Sequence, residues 1–255
     1  MNQLPTLVEM LEAGVHFGHR VSRWHPKMEP FIFTQRNGVH VINLETTREK
    51  LAEAATFVKT LTSQGKLVLF LGTKKHIAPI VEEAAKRCGM PYINQRWIGG
   101  LVTNFSEIKK LIQRYNTLKK EQITDAWEKY TKRERLKLAK EVEKMDVILA
   151  GIINLHNVPD AIFVVDMRVE KTAVREANQA GVPLVGVCDT NVNPEKATHI
   201  IPANDDSVRS ITMIAGIIAD AAAEGRAAWE KNQKAVGVTK PKERKEQRAF
   251  VVATG

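Results

Sequence analysis

The sequence predicts an α/β protein built on a doubly wound parallel sheet, with a helical hairpin inserted into it. Two observations carry this expectation. Short, almost uniformly apolar runs alternate with stretches of helical periodicity, which is the pattern of buried parallel strands joined by crossover helices. One long stretch, residues 104–149, breaks that alternation with two amphipathic segments and no strand signal.

The elements follow in order. Val39-His40-Val41-Ile42 reads as a leading strand or extended segment, and residues 46–64 as a helix. Residues 66–72 form the first clear strand, closed by Gly72. Residues 74–87 have helical spacing, with Ile77, Ile80, Val81 and Ala84 on one face and Gly89 as the stop. Pro91-Tyr92-Ile93 is a short strand. Past the interruption, residues 161–166 and 183–189 are buried strands separated by a helix over 170–180, and 198–202 is a short strand. Asp205 and Asp206 stand where caps and first-turn acids belong, ahead of a helix over 208–228.

Within the interruption, Ile108, Leu111, Ile112, Tyr115 and Leu118 recur at helical spacing. After a polar break near Thr124-Asp125, so do Leu138, Val142, Met145 and Leu149. Each apolar seam is narrow, so the pair is expected to project from the sheet. The expected organisation is one α/β domain from 1–103 and 150–228, a hairpin over 104–149, and a mobile basic tail over 229–255.

Of the 255 residues, 44% are hydrophobic, which excludes a wholly disordered chain. No apolar run approaches the roughly 20 residues of a membrane span, and the first ten residues resemble no secretory signal. The expectation is a soluble protein that stays where it is made. Cys88 and Cys188 read as buried apolar residues rather than a disulfide or metal ligands. The net charge of +9 favours a polyanionic partner, either nucleic acid or an anionic membrane surface.

Several segments carry chemistry. His16, His19, Arg20, Arg23, Trp24 and Lys27 lie in one Gly-, His- and aromatic-rich stretch, where rings can stack on bases while cations neutralise phosphates. Its histidines are also potential metal ligands, although no cysteine accompanies them. Lys74 and Lys75 follow a strand and open a helix, a geometry that can cradle a phosphate, but the full phosphate-loop spacing is absent. Arg96 stands where it could clamp RNA, with Trp97 beside it packing the base of the hairpin. Asp166, Asp189, Asp205 and Asp206 follow strands or open a helix, at the sheet edge where ligands bind. They could hold a divalent cation. Two readings result: RNA binding without catalysis, or a magnesium-dependent phosphotransferase at the acidic edge.

The order of motifs resembles the bacterial small-subunit ribosomal protein S-two family. The matching text begins with residues 11–19 (LEAGVHFGH), Trp24-His25-Pro26-Lys27-Met28, Phe31-Ile32-Phe33 and Arg36-Asn37-Gly38-Val39-His40. It continues with Ile42-Asn43-Leu44, Gly72-Thr73-Lys74, residues 96–104 (RWIGGLVTN), Pro159-Asp160, Asp189-Thr190-Asn191, residues 201–206 (IPANDD) and Gly225-Arg226. The resemblance covers about residues 10–226. It implies a flavodoxin-like five-stranded sheet with a protruding coiled-coil hairpin. It further implies a non-enzymatic place in the small subunit on 16S-type rRNA at the head–body junction, beside neighbouring small-subunit proteins, and support for recruiting protein S-one. The family has Asn where His25 stands, and a Gly-Gly-Ile-basic run where Ala150-Gly151-Ile152-Ile153 stands. The expected RNA contacts are His16, His19, Arg20, Arg23, Trp24, Lys27, Arg36, Lys74, Lys75, Arg96, Lys109, Lys110 and Arg114. No cofactor is required, and a divalent cation, Mg or Zn, is the candidate ligand of Asp189, Asp205 and Asp206.

Overall fold

The computed structural model describes residues 4–124 and 126–235. Thr6 and Glu9 form a capping box that starts a short helix, α1 (Leu7–Glu12). Three strands come next, β1 (Phe17–Arg20), β2 (Ile32–Arg36) and β3 (Val39–Ile42), antiparallel in the order β1-β3-β2. Asn37 and Gly38 join β2 to β3 with φ of 51° and 75°. Positive φ at both central residues is the backbone of a type I′ hairpin turn, which matches the twist of the strands it connects. Residues 39–42 are therefore the centre of a separate small sheet and do not lead the main one. The Asn-Gly pair between two β-prone runs is the signal that marks this sheet.

The main sheet uses the apolar runs. Asn43 caps α2 (Leu44–Thr62), and β4 (Val68–Leu71), α3 (Ala78–Cys88) and β5 (Tyr92–Ile93) follow. Helix α3 begins four residues later than its periodicity suggests: residues 74–77 form a turn, and Pro79 takes the first-turn position where its missing N–H is harmless. After α4 (Phe105–Ile123) and α5 (Lys132–Leu149) come β6 (Ala161–Val164), α6 (Lys171–Ala180), β7 (Leu184–Cys188), β8 (His199–Pro202) and α7 (Val208–Ala235). The five parallel strands lie in the order β5-β4-β6-β7-β8. Counted within the sheet, that is 2-1-3-4-5, the flavodoxin-like order.

Both faces of the sheet are covered, as an all-parallel sheet requires. Val68 and Phe70 pack among α2, α3 and α7, while Leu69 and Leu71 pack with α6, Trp97, Leu101 and the base of α4. Phe70 and Phe163, register partners, meet edge to face at 5.3 Å and 68°. Cys88 and Cys188 are both buried and free.

Helix α7 runs seven residues beyond the expected end at Ala228, so Trp229 to Ala235 are helical rather than tail. Packing explains the extension: the Trp229 indole lies on the Gly65 turn, in space that any side chain at Gly65 would fill. The remainder of the expected tail, 236–255, lies outside the described residues.

Helices α4 and α5 pack on one another through the periodic apolar positions. Ile108, Ile112, Tyr115, Leu118, Val142 and Leu149 are buried, and Leu111, Leu138 and Met145 are partly so. Tyr115 donates to Asp146, and Arg114–Glu141 (2.6 Å) and Lys119–Asp146 (3.1 Å) tie the two helices at their margins. The turn between them is held by buried Trp127 and by a capping box of Thr131 and Glu134.

Candidate nucleic-acid interface and acidic cluster

In an open α/β sheet, the carboxyl ends of strands at the point where strand order reverses form the usual ligand crevice. Here that point lies between β4 and β6, and the protein fills it with its own ions. The turn after β4 delivers Lys74, and the end of β6 delivers Asp166. The Lys74 Nζ lies 2.5 Å from Asp166, 2.8 Å from Asp206 and 3.3 Å from Asp205. Burial pulls the Lys74 pKa down, but hydrogen bonds to Asp166 and Asp206 outweigh it, so the net shift is upward.

A second layer joins this cluster to the small sheet. His19 of β1 donates from Nδ1 to Asp189 at 2.9 Å, and its Nε2 is 3.5 Å from Asp206. The hydrogen bond to Asp189 raises the His19 pKa against the opposing pull of burial. Buried Thr190 accepts from the His19 backbone N–H at 2.8 Å and donates its hydroxyl to Asp189. Asp205 is nearly fully buried, and its Oδ2 has no hydrogen-bond partner. Burial, with the charges of Asp166 and Asp189, raises its pKa to about 8 despite Lys74. Burial also pushes Asp206 up, but the hydrogen bond and charge of Lys74 carry it below its ordinary value.

Two sequence-level expectations are corrected by this arrangement. Lys74 is not a free cation for a phosphate, because its ammonium is enclosed by three carboxylates. Asp205 is not a helix cap: the side-chain oxygen of Asn204 accepts the backbone N–H groups of Asp206 and Ser207, and Ser207 Oγ accepts that of Ser210. His19 likewise points inward to carboxylates. His16 is half-buried with its ring tilted 4.0 Å from that of Phe17, and burial lowers its pKa.

The other expected contacts are at the surface. Arg20, Arg23, Arg36, Lys75, Arg96 and Lys109 are exposed, and among the described residues none of them has an ion-pair partner. Lys27 pairs with Glu195, Lys110 with Glu107 and Arg114 with Glu141, all exposed except the half-buried Glu141. Exposed pairs of this kind are worth ~0–1 kcal/mol, so they surrender to a polyanion easily. Arg20 and Arg36 both face Val39 across the small sheet, so two arginines flank one residue of β3. Trp24 is half-buried, its ring 5.1 Å from that of His40. Residues 10–225 match the family model of ribosomal protein S2.

The chain belongs to the ribosomal protein S2 family. It is thus a structural protein of the small ribosomal subunit, a ribonucleoprotein of translation, and rRNA binding is typical of the family. The family is structural and non-enzymatic, which sets aside the phosphotransferase reading of the acidic edge. No described helix is long and apolar enough to cross a membrane.

The S2 family match contains the acidic cluster, the small sheet and the α4–α5 pair. His25 caps the turn that follows it: its Nδ1 accepts the Lys27 backbone N–H at 3.3 Å, starting a 3-10 turn. Glu176 is a structural residue that the sequence reading missed. It is buried on α6 and accepts from the Trp97 indole (3.2 Å), the Gly100 N–H (3.0 Å) and the Thr103 hydroxyl (3.5 Å). It thereby fixes the loop that presents Arg96. Nothing local distinguishes this glutamate, because its partners lie more than seventy residues away.

Proposed function

We propose that this S2-family protein binds 16S-type rRNA at the head–body junction of the small subunit and supports recruitment of protein S-one there. The observation that carries the reading is the set of arginines without an ion-pair partner among the described residues, Arg20 and Arg36 on the small sheet and Arg23 in the turn that follows β1, beside Trp24. Cations without internal partners, next to an aromatic ring, suit a phosphate chain with unstacked bases. Arg96, Lys75 and the arm residues Lys109, Lys110 and Arg114 extend the surface. On this reading α4 and α5 form a protruding coiled-coil hairpin inserted in the α/β domain, and its basic margins reach rRNA. Salt dependence tests it. Each lost phosphate contact should flatten the slope of log affinity against log salt by ~0.7–0.9. Lys109→Gln with Lys110→Gln should therefore reduce the slope of rRNA binding by up to about 1.8. Affinity of the unaltered chain that ignores salt would contradict the reading.

A divalent cation is a second part of the proposal. The carboxylate and imidazole ligand atoms of His19, Asp205 and Asp206 lie within 4.8 Å of one another, so His19 takes the place expected of Asp189, which instead accepts from His19 Nδ1, and Asp205 Oδ2 is buried without a partner. One nitrogen and several hard oxygens suit Zn or Mg. Added Zn or Mg is expected to raise the melting temperature, more at pH 8 than at pH 6 because the metal displaces protons, and Asp205→Asn should abolish the effect. No stabilisation by either ion would overturn this assignment.

A further inference from the structure

We propose that the cleft between α6 and the segment leading into β8 is a phosphate-contact site for the RNA backbone, separate from the surfaces above. The inference rests on the RNA-binding reading. Lys171, Arg175 and Lys196 line this cleft with Asn178, over an apolar floor that includes Met167 and Val174. All three cations are exposed, and among the described residues none has an ion-pair partner. Each cation has an acid beside it in sequence, and each acid is engaged elsewhere: Glu170 with Thr73, Glu176 with Trp97 and Gly100, and Glu195 with Lys27. None of the three falls within the motifs that mark the family.

Local electrostatics argue that something negative completes the cleft. Lys171 is the first residue of α6, at the helix end that favours anions, and the first turn contains no acid. Lys171 and Arg175 are four apart on one face, a spacing at which like charges repel. Glu170, which precedes the helix, is buried and accepts hydrogen bonds from Thr73, so it does not offset them. The chain therefore tolerates two unfavourable placements side by side, and local rules of this kind are characteristically broken at functional sites. A phosphate seated between the side chains converts both into attractions. The site is also preformed. Asn178 Nδ2 donates to the carbonyls of Val174 (2.9 Å) and Lys196 (3.0 Å), holding the Lys196 segment against α6.

An open cleft with three separate cations fits a phosphodiester chain, which offers a charge at every nucleotide. The test is filter binding of the full chain to small-subunit rRNA across a salt series. The variant Lys171→Gln/Arg175→Gln/Lys196→Gln is compared with Lys171→Arg/Arg175→Lys/Lys196→Arg, which keeps every charge. The glutamine variant should flatten the salt slope by about 2.1–2.7, at ~0.7–0.9 per contact, and lose at least tenfold in affinity at low salt. The charge-keeping variant should retain the slope of the unaltered chain. A glutamine variant with that same slope overturns the cleft assignment while leaving rRNA binding intact. If the unaltered chain does not prefer rRNA to heparin, the underlying reading falls as well.

Discussion

Replacing Lys74 by Met is expected to destabilise the fold by about 3 kcal/mol at pH 7 and by far less near pH 4. Removing one member of a buried ion cluster leaves uncompensated charge, which costs roughly 3–5 kcal/mol. The low end applies because a fifth of the Lys74 side chain is exposed, whereas Asp166 and Asp205 are almost wholly buried. Without the ammonium, the folded-state pKa of Asp205, already raised by burial, moves further above its unfolded value. A carboxyl with a raised folded pKa gives its full stability below the unfolded value and loses it as pH rises through the folded one. The deficit is therefore large at pH 7 and shrinks once the acids are protonated. Urea midpoints of both proteins from pH 4 to pH 8 check this, and a deficit that does not vary with pH would contradict it. The unaltered protein should show a milder version of the same slope. Asp205, raised to about 8, loses its contribution as pH climbs toward that value. His19, raised by Asp189, gives stability below its unfolded pKa and loses it as pH rises through the folded one.

Gly225→Val is the second large effect, also about 3 kcal/mol, at the upper end of what overpacking costs. At Gly225, α7 lies so close to α2 that a Cβ would overlap the Thr62 hydroxyl and the Lys59 carbonyl oxygen, and stand 3.0 Å from the Ser63 nitrogen. Thr62 cannot swing aside freely, since its hydroxyl donates to the Val58 carbonyl at 2.9 Å. Pushing α7 away also strains Arg226, whose guanidinium donates to the Gly89 carbonyl at 2.6 Å and so satisfies the end of α3. For a chain of this size the melting temperature should fall by roughly 10 °C. Gly216→Ala in the same helix should do the opposite and gain up to ~1 kcal/mol, because Ala is the better helix former and its Cβ meets only Arg87 at 3.7 Å. Gains from both substitutions would show that helix propensity, not close approach, governs these glycines.

The parallel strands were legible because burial on both faces leaves unbroken apolar runs, as in 66–72, 161–166 and 183–189. The α4–α5 segment was legible because its apolar residues keep one helical period over nineteen and eighteen residues. The small sheet was not read. Its strands are short and half exposed, with β2 almost entirely so, and only β3 alternates between buried and half-buried positions. Only the Asn37-Gly38 turn announces it. The acidic residues were legible as a group at the sheet edge, but not their partner. Lys74 reads locally as a phosphate ligand, and only the topology brings Asp166, Asp205 and Asp206 around it. The end of α7 was missed because its polar sequence shows no stripe, and the contact that holds it, Trp229 on Gly65, is long-range.

Sucrose-gradient fractionation of a cell lysate at low salt tests the proposed docking surface most directly. The exposed cations of this protein, several of them without an ion-pair partner among the described residues, should carry it into the fractions of the small ribosomal subunit, and high salt should release it from them. Sedimentation as a free protein at low salt, with small subunits abundant in the same gradient, would contradict the account.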